Sequence, residues 1–402
     1  MNVPPPMTEL PDQKPPMLRL FYRRRNRLLL IWLVGIFVVV TYIVSMAAWQ
    51  SYSERWTRFS ELLIPRCVDV LIASWLFFVG SSIGSFLNVV AWRMPRGVSV
   101  NGRSHCPWCD QRLSWKDNWP VFGWLALAGR CRTCRMPISP RYPIVELAVG
   151  LTILFVGWRE FYGSGTTLPF HDARLGSVGA LWTPYITQEN IITMVYHVVA
   201  IAAAWAMALV RFDGHRLPRK LVGVSLGIVI LPILISPGVA VVPWQVAMNA
   251  NWQSDGRYLD AAMRVITGAA AAVLIGRSLA RYLSPEADPK INPLGRDTAR
   301  LMDIIAMLIV PAVVVGWQAS LAVTNVAVLI TYAIPIVMPN CRDSLSRLGF
   351  GLTIALTLQL GCWQWLHSMA MVWPTVGSPS TTILAWAAAI LVLPRWLRVA
   401  RP

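Results

Sequence analysis

The sequence predicts an all-α polytopic membrane protein with about nine or ten transmembrane helices and a small cytoplasmic four-cysteine loop of the zinc-binding type. Of the 402 residues, 55% are hydrophobic and only 14% are charged, and the mean hydropathy is +0.52. Several apolar runs reach the roughly 20 residues that a helix needs to cross a bilayer. This composition excludes a disordered or coiled-coil chain and disfavours an ordinary soluble domain.

Lys and Arg outnumber Asp and Glu by 36 to 19, which gives a net charge of +17. Membrane proteins concentrate Lys and Arg in cytoplasmic loops, and the basic residues of this chain do cluster in alternate loops between the apolar runs. We therefore predict membrane lipid, and no nucleic acid, as the partner of this charge. A nucleic-acid-binding surface would also need a basic helix or an aromatic platform, and we find neither pattern.

Hydropathy and loop charge divide the chain into five segments: a basic cytoplasmic tail at 1–27, two transmembrane helices at 28–92, a cytoplasmic zinc-binding loop at 93–142, a transmembrane domain at 143–339, and further transmembrane helices at 340–402. The tail ends in a cationic cluster formed by Arg19, Arg23, Arg24, Arg25 and Arg27. Such a cluster favours retention on the cytoplasmic side.

The predicted spans follow in order from the apolar runs at 28–49, 68–92, 142–158, 191–210, 221–242, 261–279, two within 301–339, 348–366 and 382–397. The segment 50–66 is a short external loop in this topology. The span at 261–279 is rich in Ala and Gly, which suits close contacts between helices. The stretch 301–339 is almost continuously apolar, so the position of its turn stays open.

The loop at 93–142 contains two CxxC pairs, Cys106 with Cys109 and Cys131 with Cys134, separated by 21 residues. Two such pairs can place four thiolates tetrahedrally around a zinc ion, and a reducing cytoplasm argues against disulfides. We predict structural Zn²⁺, since a closed four-cysteine site leaves no coordination position for chemistry. The alternative is a redox pair or idle thiols.

Four motifs surround these cysteines: GSFLNVVAWRMP at 84–95, DNWP at 117–120, GRC at 129–131 and PISPRYPIVE at 137–146. In order and spacing they resemble the type IV prepilin peptidase family, the leader peptidases and N-methyltransferases of pilus and type II secretion systems. The resemblance covers roughly residues 80 to 150.

The resemblance implies methylation with S-adenosylmethionine as a second activity, with Gly129 and Glu146 as candidate cofactor-binding residues. The residues themselves also suggest local roles. Gly84 permits close helix packing near a membrane exit, and Asn88 in an apolar run needs a buried partner. Glu146 either pairs with a loop arginine or only anchors its helix.

The family's peptidase works with two aspartates at the cytoplasmic ends of membrane helices. The first lies in a pattern like DxDxxxLPD, and the matching segment here is RFDGHRLPR at 211–219. Asp213 fills the second acidic position, whereas Arg211 stands at the leading position and Arg219 follows the proline. Arg211 near Asp213 is expected to favour the ionised carboxylate.

The family's second aspartate lies in a GxGDxK motif, for which this chain offers two candidates, Asp297 and Asp303. Neither has both glycines. Asp303 is better placed relative to the downstream GWQ at 316–318, whereas Asp297 has the more motif-like polar surroundings, so the choice stays open. Asp213 and both candidates fall on one predicted membrane face, where solvated helix-end acids would also fall.

Two hypotheses follow for an integral protein of the bacterial inner membrane. In the first, the chain is an aspartic-type prepilin leader peptidase that cleaves prepilin-like proteins at the cytoplasmic face and also N-methylates them. In the second, it is a catalytically inactive relative that serves as a binding or assembly component of a pilus or type II secretion system. A transporter is disfavoured because the acidic residues cluster at helix ends rather than at mid-membrane.

Overall fold

The computed structural model describes residues 17–53, 57–162, 167–169, 187–244, 256–284, 297–338, 341 and 343–397. Within these ranges the regular structure is helical: α1 (Met17–Ser53), α2 (Phe59–Arg93), α3 (Phe122–Ala126), α4 (Arg141–Tyr162), α5 (Gln188–Phe212), α6 (Arg219–Ile235), α7 (Gly256–Leu283), α8 (Thr298–Val315), α9 (Trp317–Val337), α10 (Ser344–Gly361), α11 (Trp363–Ser368) and α12 (Ser380–Val392). The all-α prediction is confirmed.

Among the described residues, six helices are long and apolar enough to cross a membrane, which makes the chain a multi-pass membrane protein. They are Trp32–Ser53, Phe59–Arg96, Gln188–Phe212, Arg257–Leu283, Thr298–Val315 and Trp317–Ile336. The remaining predicted spans also form helices, α4, α6, α10 and α12. The apolar helix at the C-terminal end is shorter than a full span.

Helix α2 begins earlier than predicted, so most of the expected external loop at 50–66 is helical. Arg66 and Asp69 lie at the predicted boundary between this loop and the span, where charged side chains favour a loop. In the structure they form an ion pair inside the helix. Arg66 Nη1 lies 2.6 Å from Asp69 Oδ2, and both side chains are buried. The ion pair lets α2 continue toward its N-terminus through charged residues.

Of the tail predicted at 1–27, residues 1–16 lie outside the described residues.

Other helices end where local chemistry stops them. Helix α6 ends at Ile235, seven residues before the predicted boundary at 242, because Ser236 precedes Pro237 and a residue before proline avoids the helical region. The open turn within 301–339 lies at Gly316, whose φ of 89° suits a residue without a side chain. It separates α8 from α9.

Helices α2 and α4 pack closely because glycines face each other at their contact. A Cβ built on Gly80 would lie 3.0 Å from the Cα of Gly150, and one built on Gly84 would lie 2.9 Å from the Cα of Glu146. The expected role of Gly84 in close packing is therefore confirmed. Asn88 has its buried partner, since its Nδ2 donates to the carbonyl of Tyr142 at 3.3 Å.

The centre of the bundle is formed by α5, α8, α9 and α10, whose buried side chains belong to one continuous apolar core. One cation lies inside this core. Arg264 of α7 is 1% exposed and donates from Nε to the carbonyl of Val313 at 3.0 Å, and it also donates to Val314 and Val242. It thereby satisfies carbonyls at the C-terminal end of α8, which the helix itself leaves without donors.

Substituting Gly84 by Ala is expected to destabilise the protein, because the added methyl group would meet the backbone of α4. Overpacking of this kind costs about 1–3 kcal/mol. The matched control is Gly35→Ala in α1, where a Cβ would meet nothing within 4 Å. The control is expected to be neutral or to gain up to about 1 kcal/mol of helix propensity. Thermal unfolding in detergent measures both, and equal unfolding temperatures would contradict the close-packing role.

Candidate functional site

Each pair of cysteines lies in a tight turn, and the two turns are built alike. The amide of Cys106 donates to the carbonyl of Gln111 at 3.0 Å, and the amide of Cys131 donates to Met136 at 2.9 Å. The residue after each second cysteine has a left-handed backbone, with φ of 53° at Asp110 and 60° at Arg135. These turns point the sulfurs of each pair in one direction.

The four thiols of Cys106, Cys109, Cys131 and Cys134 come together, with all four Sγ atoms within 4.8 Å of one another. The Sγ atoms of Cys106 and Cys134 lie 3.8 Å apart, and those of Cys109 and Cys131 lie 4.0 Å apart. Zinc–sulfur bonds of about 2.3 Å in a tetrahedron put sulfurs about 3.8 Å apart. The donor set and its spacing therefore fit a structural zinc ion.

The backbone of the second turn favours the thiolate that a metal needs. Hydrogen bonds from the amides of Cys134 and Thr133 lower the pKa of Cys131 to about 7. A thiolate is a metal ligand whereas a thiol is not. The backbone thus favours the metal-binding form of Cys131, whereas burial and the hydrogen bonds of the neighbouring cysteines outweigh the amide of Met136 and raise the pKa of Cys134 to about 11.

The loop is fastened to α2 by Arg93, the last residue of that helix. The side chain of Arg93 is buried, and its guanidinium donates to the carbonyls of Ser99, Val100, Asn101 and Arg103. The chain therefore folds back against the end of α2 directly after leaving it. This explains the need for an arginine in the GSFLNVVAWRMP motif.

Glu146 of α4 fastens the middle of the loop, and its partner differs from the expected loop arginine. Its Oε2 accepts a hydrogen bond from the amide of Val121 at 2.7 Å, and Ser85 hydrogen-bonds the same carboxylate. Val121 follows the DNWP motif directly. Asp117 of that motif pairs with Arg132 in the second cysteine turn, so the motif connects the metal turns to the helices.

Gly129 has a packing role inside the same loop. Its φ is 69°, and a Cβ at this position would lie 2.7 Å from the indole ring of Trp124. Trp124 in turn donates from Nε1 to the carbonyl of Ile138 at 3.0 Å. Gly129 and Glu146 are thus both engaged in contacts within the protein.

Asp213, the first catalytic candidate, lies just after α5 and forms a two-point ion pair with Arg141 at the start of α4. One guanidinium nitrogen, Nη2, donates to Oδ2 at 2.9 Å, and Nη1 donates to Oδ1. The ion pair therefore links the end of the cysteine loop to the end of α5. The sequence predicted Arg211 as the cation beside Asp213, but in the structure the partner of Asp213 is Arg141.

Arg211 instead holds Asp303, the second candidate. Its Nη1 lies 3.1 Å from Asp303 Oδ2, and its Nη2 lies 3.0 Å from Asp343 Oδ2. The side chains of Arg211 and Asp303 are 5% and 8% exposed. The buried Arg211 therefore bridges α8 and the start of α10. Asp343 also accepts a hydrogen bond from Arg300 Nη2 at 2.9 Å.

Asp343 was not among the sequence-predicted residues. It caps α10, accepting from the amide of Ser346 at 3.2 Å, and an Asp before an apolar run is a recognisable helix-capping signal. Burial works to raise the pKa of Asp343, but the hydrogen bond and charge of Arg300 and the charge of Arg211 outweigh it and hold the pKa below its usual value. The sequence could indicate the cap but not its arginine partners.

Asp297, the third candidate, caps α8 and lies apart from these buried contacts. Its Oδ1 accepts from the amides of Ala299 and Arg300 at 3.0 and 3.2 Å. Its other carboxylate oxygen lies 4.0 Å from Arg216, whose side chain is 71% exposed. The residues 294–296 that made its surroundings resemble a motif lie outside the described residues.

The aspartates are therefore paired with arginines one by one. Two carboxylates that share a proton shift each other's pKa apart, so one stays protonated while the other acts as base. A nearby guanidinium works against such proton sharing, because it favours the ionised form of a carboxylate. In this arrangement Asp213 and Asp303 are salt-bridged groups rather than a proton-sharing pair.

Comparisons with known proteins place the similarity in the first half of the chain. Residues 78–160 match the family described as Bacterial Peptidase A24 N-terminal domain. A prepilin leader peptidase/N-methyltransferase of Myxococcus xanthus is 48% identical over 99 residues, which are 24% of this chain and 29% of that protein. One of Klebsiella pneumoniae is 43% identical over 95 residues, or 22% of this chain and 42% of the relative.

A type 4 prepilin-like proteins leader peptide-processing enzyme of Escherichia coli is 42% identical over 153 residues, covering 32% of this chain and 55% of that enzyme. The chain thus spans between 29% and 55% of the length of these curated relatives. No solved structure matches the chain.

Replacing Cys106 by Ser is expected to lower the zinc content from about one ion per chain and to destabilise the protein by more than about 2 kcal/mol. The matched control is Cys67→Ser, since Cys67 is an exposed free thiol of α2. Metal analysis of the purified variants measures the first effect, and thermal unfolding measures the second.

Zinc retention is also expected to fall as the pH is lowered, since protons compete with the metal for the four thiolates, and metal analysis after dialysis at a series of pH values measures this. Equal zinc content in the Cys106 and Cys67 variants would contradict the four-thiolate site.

Replacing Arg211 by Ala is expected to destabilise the protein by about 3–5 kcal/mol, because two carboxylates lose a buried partner. The double variant Arg211→Ala/Asp303→Asn is expected to regain part of this loss, since it removes one uncompensated charge. Arg216→Ala, at an exposed arginine, should stay within about 0.5 kcal/mol of the parent. Thermal unfolding compares the three, and a double variant less stable than Arg211→Ala would refute the ion pair.

Proposed function

Since its residues 78–160 match the family described as Bacterial Peptidase A24 N-terminal domain, we propose that this chain is a prepilin leader peptidase-like protein of the bacterial inner membrane. In this proposal the cysteine loop, with a structural Zn²⁺, and the adjoining helix ends bind prepilin-like proteins at the cytoplasmic face. The names of the relatives, which are leader peptidases of prepilins, support the substrate class.

We further propose that the chain binds without cleaving, as a catalytically inactive relative that serves in the assembly of a pilus or type II secretion system. The observation that carries this proposal is the position of Arg211. It stands where the family pattern has its leading aspartate, and its guanidinium contacts Asp303 and Asp343. Where a peptidase needs a carboxylate that takes a proton from water, this chain has a fixed cation.

The charges of the neighbouring groups support the same proposal. Asp213 has its own two-point partner in Arg141, so each candidate carboxylate is held by a separate arginine. A general acid must hold a proton at the start of the reaction. Asp213 and Asp303 each form an ion pair with a different arginine, and these ion pairs would have to open before the two carboxylates could share a proton.

The second candidate function is peptidase activity by Asp213 and Asp303. One observation favours it: Asp213 lies two residues after Arg211, which contacts Asp303, so the two acids lie at the same end of α5 and α8. In this proposal a bound prepilin displaces Arg141 and Arg211, and the freed carboxylates share a proton. Asp303 is then the second acid, because Asp297 caps α8 outside the contact with Arg211.

Methylation with S-adenosylmethionine belongs to the same peptidase proposal and rests on the double name of the relatives. The methyl group would pass to the N-terminus that cleavage exposes. A chain that does not cleave therefore has no such acceptor, and we propose that methylation is absent together with cleavage.

Co-expression with a prepilin-like protein of the same organism tests both proposals. We expect the precursor to co-purify with this protein uncut and unmethylated, as read from its N-terminus and intact mass. Cys106→Ser should reduce the co-purified amount, because the loop loses its metal. Cys67→Ser serves as the control.

Two results would contradict the binding proposal. A shortened product, lost in Asp303→Asn but retained in the helix-cap control Asp297→Asn, would establish the peptidase instead. A precursor that is neither cut nor retained, with zinc bound and the protein folded, would overturn both proposals for that class of substrate.

A further inference from the structure

The first cysteine turn of the loop contains an open cleft beside the four thiols. It has a volume of about 580 Å³ and is lined by Arg103, His105, Asp110 and Arg112. Its residues surround Cys106 and Cys109 along the chain but are not themselves metal ligands in the predicted site. The second cysteine turn has the same backbone but presents Arg130, Arg135 and Pro137 at corresponding places.

The backbone holds the lining residues in fixed positions. His105 and Arg112 face each other across an antiparallel bridge, and the amide of Leu113 donates to the carbonyl of Ser104 at 2.9 Å. The cleft is therefore formed by a hydrogen-bonded hairpin that the metal turn closes. This hairpin holds Arg103 and Arg112 near each other, so their proximity does not depend on ion pairs with other groups.

The charge of the cleft is positive and not neutralised. Among the described residues, the guanidinium groups of Arg103 and Arg112 have neither a hydrogen-bond partner nor an ion-pair partner, whereas Arg93 and Arg132 of the same loop are engaged. The one acid of the cleft, Asp110, has a 92% exposed side chain that lies 3.7 Å from His105 Nε2. Two free arginines with one solvated carboxylate favour an anion as ligand.

The cleft lies close to the end of a membrane helix. Arg93 ends α2, a candidate membrane span, and its side chain donates to the carbonyls of Asn101 and Arg103 at 3.2 and 3.5 Å. The backbone at Arg103 is therefore within one side-chain length of the helix end. The apolar run 68–92 within α2 is long enough to cross the hydrocarbon core of a bilayer, which puts its end at 92 near the level of the lipid headgroups.

The same turn and the segment after it expose large aromatic rings. Trp108, between the cysteines of the first pair, is 65% exposed, and Trp115, three residues after Arg112, is 76% exposed. The ammonium of Lys116 lies 5.4 Å from the ring centroid of Trp115. Tryptophan and basic residues together are typical of protein surfaces at the membrane interface.

From these observations we propose that the cleft formed by Arg103, His105 and Arg112 binds the phosphate headgroup of an anionic phospholipid. The two guanidinium groups hold the phosphate oxygens, and His105 donates a further hydrogen bond. A lipid is favoured over free phosphate because Arg93 holds the cleft against the end of a membrane helix. The contact would fix the cysteine loop on the bilayer surface.

The test uses the full-length protein in detergent, titrated with phosphatidylglycerol or phosphatidylcholine and observed by native mass spectrometry. Each arginine near an anionic surface is worth about fivefold in affinity. The variant Arg103→Gln/Arg112→Gln is therefore expected to need about 25-fold more phosphatidylglycerol for equal occupancy. The matched control is Arg130→Gln/Arg135→Gln, which removes the same charge from the second cysteine turn.

Zinc content of both variants checks that the loop has kept its structure. A loss of phosphatidylglycerol binding in the first variant alone supports the proposal. Equal loss of lipid binding in both variants would indicate non-specific charge attraction and would overturn the proposed site. Unchanged lipid binding in both variants would overturn it as well. Displacement of the lipid by an equal concentration of inorganic phosphate would identify the cleft as a site for soluble phosphate instead.

Discussion

The buried guanidinium of Arg211 is the constraint around which one end of the helix bundle is organised. A cation removed from water needs several fixed anionic or carbonyl partners, because one contact does not offset the loss of hydration. Arg211 finds these partners in Asp303 of α8, Asp343 before α10 and the carbonyl of His215. Ser346 adds a hydrogen bond to the carbonyl of Arg211 at 2.6 Å. Three helices thus converge on one side chain.

A second set of contacts mounts the cysteine loop on this bundle. The loop leaves from α2 and returns into α4, and these helices approach closely because Gly80, Gly84 and Gly150 have no side chains at their contact. Arg93 then binds backbone at the start of the loop, and Glu146 binds backbone in its middle. The ion pair between Arg141 and Asp213 joins this unit to α5, so the metal turns are held at the same end as the aspartates.

The two halves of the chain differ in what they retain of the prepilin peptidase pattern. The first half has the motifs in full, and each of them has a structural contact: a loop anchor, a helix contact or a metal turn. In the second half, Arg211 stands where the pattern has its leading aspartate. The structure places the side chain of Arg211 against Asp303, one of the remaining acidic candidates. The consequence is electrostatic, since a nearby guanidinium stabilises the charged form of a carboxylate and each of these aspartates has its own arginine partner.

The sequence by itself determined the helical class, the order of the helices and the four metal-ligand candidates, because these depend on local patterns. Apolar runs define helices wherever they occur, and a CxxC pair fits a metal turn because its spacing is short. It could also show that Arg211 replaces an acid. Three features needed the tertiary structure: the start of α2 at Phe59, the partner of Glu146, and the pairing of the aspartates with Arg141 and Arg211.

These three depend on residues that are distant in sequence or on the burial of charge. Arg141 and Asp213 are 72 positions apart, and Arg211 and Asp343 are 132 positions apart. Electrostatic pairing depends on distance in space and on exclusion of water, and neither is encoded in the neighbouring residues. The sequence therefore identified the ionisable groups, whereas only the packing of α4, α5, α8 and α10 decided which cation faces which carboxylate.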